Sequence, residues 1–270
     1  YGTGNSYTAE FWQYDPRLGR RWNLDPKPTT GISEYACFLG NPIWYSDILG
    51  DTVTFKNKRS KRYYDRLRKA SHNIPALEAR LKKLEDSDIE YNLHISWWKG
   101  LFNQGGYTEY NFKKERVDIK IGEEGLLTFA MMGDEFTHCE QAEDKKINWA
   151  LVEVRTSEGF TFKWPTVVGY DWKDEIESKQ GAIQAIDAIN MEEGRSLKIS
   201  ALDKKSPSAG LIKQIEAGAT LSDLKKAINK TAYKGRFNID GDKNVLSGMD
   251  RSTVDLSKTK GKIIKTGPNK

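Results

Sequence analysis

The residues best spaced for chemistry lie in segment 134–138, which reads Asp-Glu-Phe-Thr-His. If this segment is helical, residues four positions apart lie on one face, so Asp134 and His138 can bind the same divalent metal ion. Glu135 then lies beside that ion. The same five residues are also typical of an exposed acidic helix face, so the spacing alone leaves both interpretations open.

The spacing corresponds to the H-E-x-x-H motif, in which two histidines bind zinc and the glutamate polarises water. Asp134 replaces the first histidine. Aspartate is an accepted oxygen ligand of zinc, but an added carboxylate reduces the Lewis acidity of the metal. Two other side chains are candidate replacement ligands: His94, on the polar face of a predicted strand, and Cys139, which points about 100° around the helix from His138.

Apolar periodicity predicts the elements that carry these residues. Helices are expected at 60–69, from 75 onward, at 126–145, at 173–191 and at 221–232, the last with Leu221 and Leu224 facing inward. Strands are expected at 89–95, 107–112 and 116–121, and a strand-rich segment continues to Pro165. The strand at 116–121 directly precedes the motif helix, where zinc peptidases commonly have a substrate-binding edge strand. The predicted fold class is α+β.

Composition and charge limit the class of protein. The 270 residues carry a net charge of +5, and no stretch approaches the roughly 20 apolar residues that span a bilayer. The first residues lack the basic and apolar regions of a signal peptide. Cys37 and Cys139 are too few for a disulfide framework. We therefore expect neither a membrane span nor a disulfide-stapled miniprotein.

The charge is unevenly distributed, because residues 201–270 carry 15 Lys and Arg against 7 Asp and Glu. A lysine-rich segment can contact nucleic acid or an acidic partner. Such a segment is more often a solvated, partly disordered end, and that is the interpretation we favour here.

The first fifty residues are rich in aromatic residues, glycine and Asp-Pro pairs. Segment 7–14 alternates as a strand, 15–19 has the residues of a turn, and 21–24 is a second short strand. The pattern predicts repeated hairpins of a larger sheet.

Four motifs follow one another in this part of the chain. They read Phe-Trp-Gln-Tyr-Asp-Pro-Arg-Leu-Gly-Arg-Arg-Trp at 11–22, Leu-Asp-Pro at 24–26, Tyr-Ala-Cys-Phe at 35–38 and Asn-Pro-Ile at 41–43. In this order they resemble the C-terminal end of an Rhs repeat-associated core domain, in a variant similar to those of Bacteroidota. The resemblance covers residues 1–51 and implies a β-strand shell that encloses a variable C-terminal toxin.

The same resemblance extends to a cleavage signature. Segment 42–51 reads Pro-Ile-Trp-Tyr-Ser-Asp-Ile-Leu-Gly-Asp and corresponds to Pro-x4-Asp-Pro-x-Gly, where members of that family cut themselves with aspartates. Ile48 replaces the second proline of the signature. The resemblance implies Asp25 and Asp47 as candidate cleavage carboxylates, and both are equally typical of turn caps.

Two later segments carry a second resemblance. Segment 133–141 reads Gly-Asp-Glu-Phe-Thr-His-Cys-Glu-Gln, and 174–177 reads Asp-Glu-Ile-Glu. With the helix–helix–strand pattern at 60–96, they resemble Rhs-associated, effector-type metallopeptidase toxins. In these toxins a motif similar to A-H-E-L-x-H-A-x-Q is followed by a D/T-E motif that supplies the third zinc ligand.

This second resemblance implies a zinc site in which Asp134, His138 and Glu175 are the metal ligands and Glu135 is the general base. Zinc lowers the pKa of bound water to about 7, and Glu135 would pass the water's proton to the leaving amine. Because two of the three ligands are carboxylates, we expect weaker zinc affinity than for a His-His-Glu set. Harder ions such as manganese should be tolerated better.

The sequence thus predicts an Rhs core remnant at 1–51, a zincin-like toxin domain at 52–200 and a basic extension of it at 201–270. Three functions stay open: a zinc peptidase acting on a protein of a competing cell, a degenerate zincin fold acting by binding, and a toxin that attacks nucleic acid through its basic region. The resemblance implies secretion or delivery into a target cell, as in type VI secretion. It also implies three partners: the parent shell, a cognate immunity protein and the protein substrate.

Overall fold

The computed structural model describes residues 7–8, 13–15, 20–21, 53–97, 105–155, 159–203, 208–228 and 260–268. The strands in these ranges are β1 (Tyr7–Thr8), β2 (Gln13–Asp15), β3 (Arg20–Arg21), β4 (Val53–Phe55), β5 (Tyr91–Ser96), β6 (Tyr107–Asn111), β7 (Arg116–Gly122), β8 (Asn148–Arg155), β9 (Thr161–Val168) and β10 (Lys260–Thr266). The helices are α1 (Lys58–Ser71), α2 (Pro75–Glu85), α3 (Leu127–Glu143), α4 (Trp172–Glu193), α5 (Ile199–Leu202), α6 (Ala209–Glu216) and α7 (Leu221–Ile228). The α+β class is confirmed, and the predicted helices and strands of the 58–193 region are present within a few residues of their expected ends.

Helix α1 begins where the sequence supplies a side-chain cap. Asn57 Oδ1 accepts a hydrogen bond from the Ser60 backbone N–H at 2.8 Å, which satisfies one of the free donors of the first turn. The Ser60 hydroxyl in turn accepts from the backbone N–H of Ile95 at 2.8 Å, and Asn57 Nδ2 donates to the Ile95 carbonyl at 3.2 Å. The cap therefore also fixes the start of α1 on the end of β5.

The sheet that carries the core has the strand order β4-β5-β7-β6. Strands β4, β5 and β7 are parallel, with Leu93 opposite Ile119, and β6 pairs antiparallel with β7. Leu93, Ile95 and Ile119 are completely buried, as expected for strands covered by helices. Strand β7 lies between β5 and β6, so the expectation that 116–121 forms the edge strand is wrong. The turn between β6 and β7, with Glu115 at φ 53°, folds the chain back on itself. As a result β6, the first strand of this hairpin, lies outermost.

A second sheet, of order β10-β8-β9, is antiparallel throughout. Strand β10 pairs with β8 from Lys260 opposite Arg155 to Thr266 opposite Ala150, and Lys265 Nζ donates to the Phe112 carbonyl at 3.1 Å. The expected disorder is therefore wrong for residues 260–266, although residues 264–266 are exposed, as expected of a solvated end. A lysine count does not reveal that a short segment can pair with an available strand edge.

The N-terminal strands form a three-stranded antiparallel sheet, β1-β2-β3, with Tyr7 opposite Tyr14 and Tyr14 opposite Arg21. The single strand expected at 7–14 is thus two strands that pair with each other. The candidate cleavage residues Asp25 and Asp47 lie outside the described residues.

Helices α6 and α7 pack on the start of α4. Leu211, Leu224 and Ile228 form a small buried cluster with Trp172 and Ile176. The inward position of Leu224 is confirmed, whereas Leu221, also expected inward, is 53% exposed because it lies at the first residue of α7. Within the described part of the chain, every helix is too short or too polar to cross a bilayer.

Helices α3 and α4 approach each other at two glycines, and this crossing sets the geometry between them. A Cβ atom on Gly133 would lie 2.7 Å from the Ala185 Cβ, and one on Gly181 would lie 2.7 Å from the Gly133 carbonyl oxygen. Thr137 Oγ1, which donates to that carbonyl at 2.7 Å, also lies against Gly181. The two backbones are in contact, so side chains one turn away on either helix face each other closely.

We predict that Gly181→Ala lowers the free energy of unfolding by about 1–3 kcal/mol, because the added methyl group forces the helices apart. The matched control is Gly210→Ala in α6, where a Cβ meets no atom within 4 Å. That change should stabilise the protein by up to about 1 kcal/mol through helix propensity. Urea denaturation of both variants measures the difference, and equal effects of the two substitutions would contradict the close crossing.

Candidate functional site

Four charged or ionisable side chains meet across the α3–α4 crossing. Asp134 and His138 are one turn apart on α3, and Glu175 and Lys179 are one turn apart on α4. Each pair has the i, i+4 spacing that puts both side chains on one helical face. The three residues that the resemblance assigns to zinc are therefore close together, and Lys179 joins the two carboxylates among them.

Lys179 lies between the two carboxylates. Its Nζ is 2.6 Å from Asp134 Oδ2 and 2.9 Å from Glu175 Oε1, and its side chain is only 7% exposed. The contact to Asp134 is a hydrogen bond. The contact to Glu175 Oε1 lacks hydrogen-bond alignment, so we regard it as an ion pair at close range. The other oxygen of Asp134, Oδ1, is buried without a hydrogen bond.

The ring of His138 is held in one orientation by Gln141. Gln141 Nε2 donates to the Asp174 carbonyl at 2.8 Å and to Glu177 Oε2 at 3.1 Å, so its Oε1 must face the histidine. This network assigns the His138 Nδ1 atom as the donor to Gln141 Oε1, at 2.9 Å. The other ring nitrogen, Nε2, lies 4.0 Å from Glu175 Oε2.

Glu175 is positioned by the start of α4. Asp171 is the N-cap residue and forms a capping box with Asp174, which fixes the first turn of the helix. The hydroxyl of Tyr170, just before the cap, donates to Glu175 Oε2. Burial alone would raise the pKa of Glu175, but Lys179 and His138 together lower it to about 2. Glu175 is therefore a carboxylate across the physiological pH range.

Glu135 is buried on the sheet side of α3. Thr108 Oγ1, on the edge strand β6, donates to its Oε2 at 2.6 Å. Gly106, just before β6, packs so closely that a Cβ there would lie 2.7 Å from Glu135 Oε1. Burial raises the pKa of Glu135 to about 7, and the nearby charge of Asp134 adds to the increase. The interpretation of 134–138 as an exposed acidic face is wrong for this residue, which is 5% exposed.

The donor set does not fit a zinc ion in the arrangement that the structure shows. Asp134 and Glu175, two of the three ligands that the resemblance implies, already share the ammonium of Lys179. Among the described residues, no group of three or more His, Cys, Asp and Glu side chains is arranged to hold a metal ion.

The two other candidate ligands are His94 and Cys139. His94 is in the middle of β5, opposite Lys120 of β7. Cys139 is completely buried, and burial raises the pKa of its thiol well above the usual value. A thiol that resists ionisation is a poor metal ligand, because the thiolate is the binding form.

Comparison with protein-family models, with curated proteins and with solved structures finds no match to this chain. Three residues of the site were not identified from the sequence: Thr108, Tyr170 and Lys179. Lys179 carries a signal that could have identified it, since it follows Glu175 by four residues in a predicted helix. The contacts of Thr108 and Tyr170 depend on tertiary packing and have no local signal.

We predict that the stability of Glu135→Gln relative to the unmodified protein depends on pH. The folded-state pKa of about 7 lies above the ordinary value of 4.5. The stability that protonated Glu135 contributes is therefore fully present below pH 4.5 and is lost as the pH rises through 7. Glutamine stays neutral and can still accept from Thr108.

Between pH 4.5 and pH 8.5, the free energy of unfolding of Glu135→Gln should therefore increase by about 3 kcal/mol relative to the unmodified protein. Urea titrations of both proteins at each pH measure this difference. A difference that stays constant over this range would show that Glu135 is not held in its neutral form.

Proposed function

We propose that this chain is the C-terminal part of an Rhs-type polymorphic toxin, and that the region from residue 52 is its metallopeptidase-like effector domain. The domain acts on a protein of a competing cell after delivery into that cell. Residues 1–51 belong to the shell that encloses the effector, and a cognate immunity protein protects the producing cell.

The order of elements supports a zincin-like domain. Parallel strands β4, β5 and β7 are flanked by the antiparallel edge strand β6, and α3 with its Asp-Glu-x-x-His segment follows β7 directly. Helix α4 then brings Glu175 to His138. Strand β7, which directly precedes the motif helix, lies inside the sheet, and it is the outer strand β6 that contacts this helix, through Thr108 and Glu135.

The observation that carries our proposal for the mode of action is the position of Lys179 between Asp134 and Glu175. An ammonium group donates hydrogen bonds but has no vacant coordination position, so it cannot coordinate a water molecule and lower its pKa as zinc does. We therefore propose that the effector acts by binding its target protein. Strand β6, which ends its sheet among the described residues, offers a backbone edge for an extended segment of that target.

Hydrolysis with zinc is the second candidate function, and the geometry of His138 favours it. Its Nδ1 atom is held by Gln141 and its Nε2 atom faces Glu175, as in metal sites where an outer hydrogen bond orients the histidine. Glu135 lies beside this face and is the base that such a reaction needs.

We predict that production of the 270-residue chain in the bacterial cytoplasm arrests growth, and that Glu135→Gln arrests growth equally. Binding does not need a general base, whereas hydrolysis loses about two to four orders of magnitude without one. Growth curves and viable counts after induction, with the protein level matched by immunoblot, measure the effect. Loss of toxicity in Glu135→Gln would favour the zinc peptidase, and degraded DNA or RNA would favour a toxin that attacks nucleic acid.

A second pair of variants examines the edge strand. Tyr107, at the start of β6, is 42% exposed, and an exposed aromatic residue there is a suitable anchor for a partner. We predict that Tyr107→Ala weakens toxicity, while Phe160→Ala, which removes an aromatic side chain that is 69% exposed, leaves it unchanged. Equal toxicity of the two variants would exclude Tyr107 as a binding anchor.

A further inference from the structure

We infer that Lys179 is the permanent cation of this site and takes the place that a divalent metal ion would otherwise occupy between Asp134 and Glu175. The comparison with a metal site rests on the proposed function, while the contacts themselves do not depend on it. The inference explains why helices α3 and α4 each bring a carboxylate to the same buried point.

The electrostatic argument starts from the two carboxylates. Glu175 is 4% exposed and Asp134 is 18% exposed, so the two negative charges would repel each other strongly in an environment of low dielectric constant. The Lys179 ammonium contacts both at 2.6 and 2.9 Å and compensates the repulsion. Removing one partner of such a buried group leaves an uncompensated charge, which is strongly destabilising.

The distances suit an ammonium group better than a metal ion. Carboxylate oxygens bind zinc at about 2.0–2.2 Å, whereas charge-assisted N–H···O hydrogen bonds are about 2.7–2.9 Å long. The hydrogen bond from Lys179 Nζ to Asp134 Oδ2, at 2.6 Å, lies near the second range, and the ion pair with Glu175 Oε1 spans 2.9 Å. The lysine is also covalently attached to α4, so a chelator cannot remove this cation.

Removal of the ammonium should uncover a divalent-metal site. The Nε2 atom of His138 and the Oε2 atom of Glu175 are 4.0 Å apart. Two ligands of one tetrahedral zinc ion are separated by about 3.3 Å, given bond lengths near 2 Å. Small side-chain movements would therefore let Asp134, His138 and Glu175 bind zinc or cobalt once Lys179 is shortened.

The experiment compares the full chain, Lys179→Ala and a matched control, Lys146→Ala. Lys146 also pairs with a carboxylate of α4, Glu177 at 3.0 Å, but both side chains are about 40% exposed. Thermal unfolding is followed with EDTA, and then with zinc added in excess. We expect Lys179→Ala to lower the Tm by about 10 °C in EDTA, and zinc to restore roughly half of the loss or more. The unmodified protein and Lys146→Ala should have the same Tm with EDTA and with zinc.

A cobalt titration of the unmodified protein gives a measurement that does not require the variant to fold. We expect no stoichiometric cobalt spectrum, because the ammonium occupies the position. Tight one-to-one cobalt binding that disappears in His138→Ala would overturn the inference, as would a Lys179→Ala protein whose stability does not respond to zinc. Neither readout involves toxicity, so a non-toxic chain with these metal properties would refute the proposed function alone.

Discussion

The backbones of α3 and α4 touch at Gly133 and Gly181, and the site exists because they do. At this separation Asp134 and His138 on one helix come within reach of Glu175 and Lys179 on the other. Helices separated by larger side chains lie about 8–10 Å apart, and short side chains such as aspartate would then not reach across. The lack of a side chain at Gly133 and Gly181 thus determines which charged residues interact one helical turn away.

Two carboxyl groups near this crossing, Glu175 and Glu135, have pKa values shifted in opposite directions. Glu175 is held as an anion by Lys179, whereas Glu135, enclosed by Gly106 and Thr108, has a raised pKa. The difference arises because the Lys179 ammonium contacts Glu175 directly, whereas at Glu135 the effect of burial outweighs the attraction of His138 and Lys179. One carboxyl group at this crossing is therefore ionised at neutral pH, while the other can gain or lose a proton near pH 7.

Much of the local structure could be predicted from the sequence, but the contacts that define the site could not. Apolar periodicity predicts α1, α3 and α4, because helix formation depends on near neighbours. Whether Asp134 binds a metal or an ammonium depends on Lys179, which is 45 residues further along the chain. The edge position of β6 and the pairing of β10 also depend on contacts between distant residues. Local patterns carry no information on them.

Strand β10 has a consequence for how the domain reaches its final form. It pairs with β8 across a separation of about 105 residues, from Arg155 to Lys260. Closing a loop of this length has a high entropic cost that is recovered only when the strands have joined. Long-range strand pairing of this kind is slow compared with helix formation. The sheet of β4, β5, β7 and β6, which supports the site, should therefore form first. Strand β10 should be among the last elements to pair during folding and among the first to separate during unfolding.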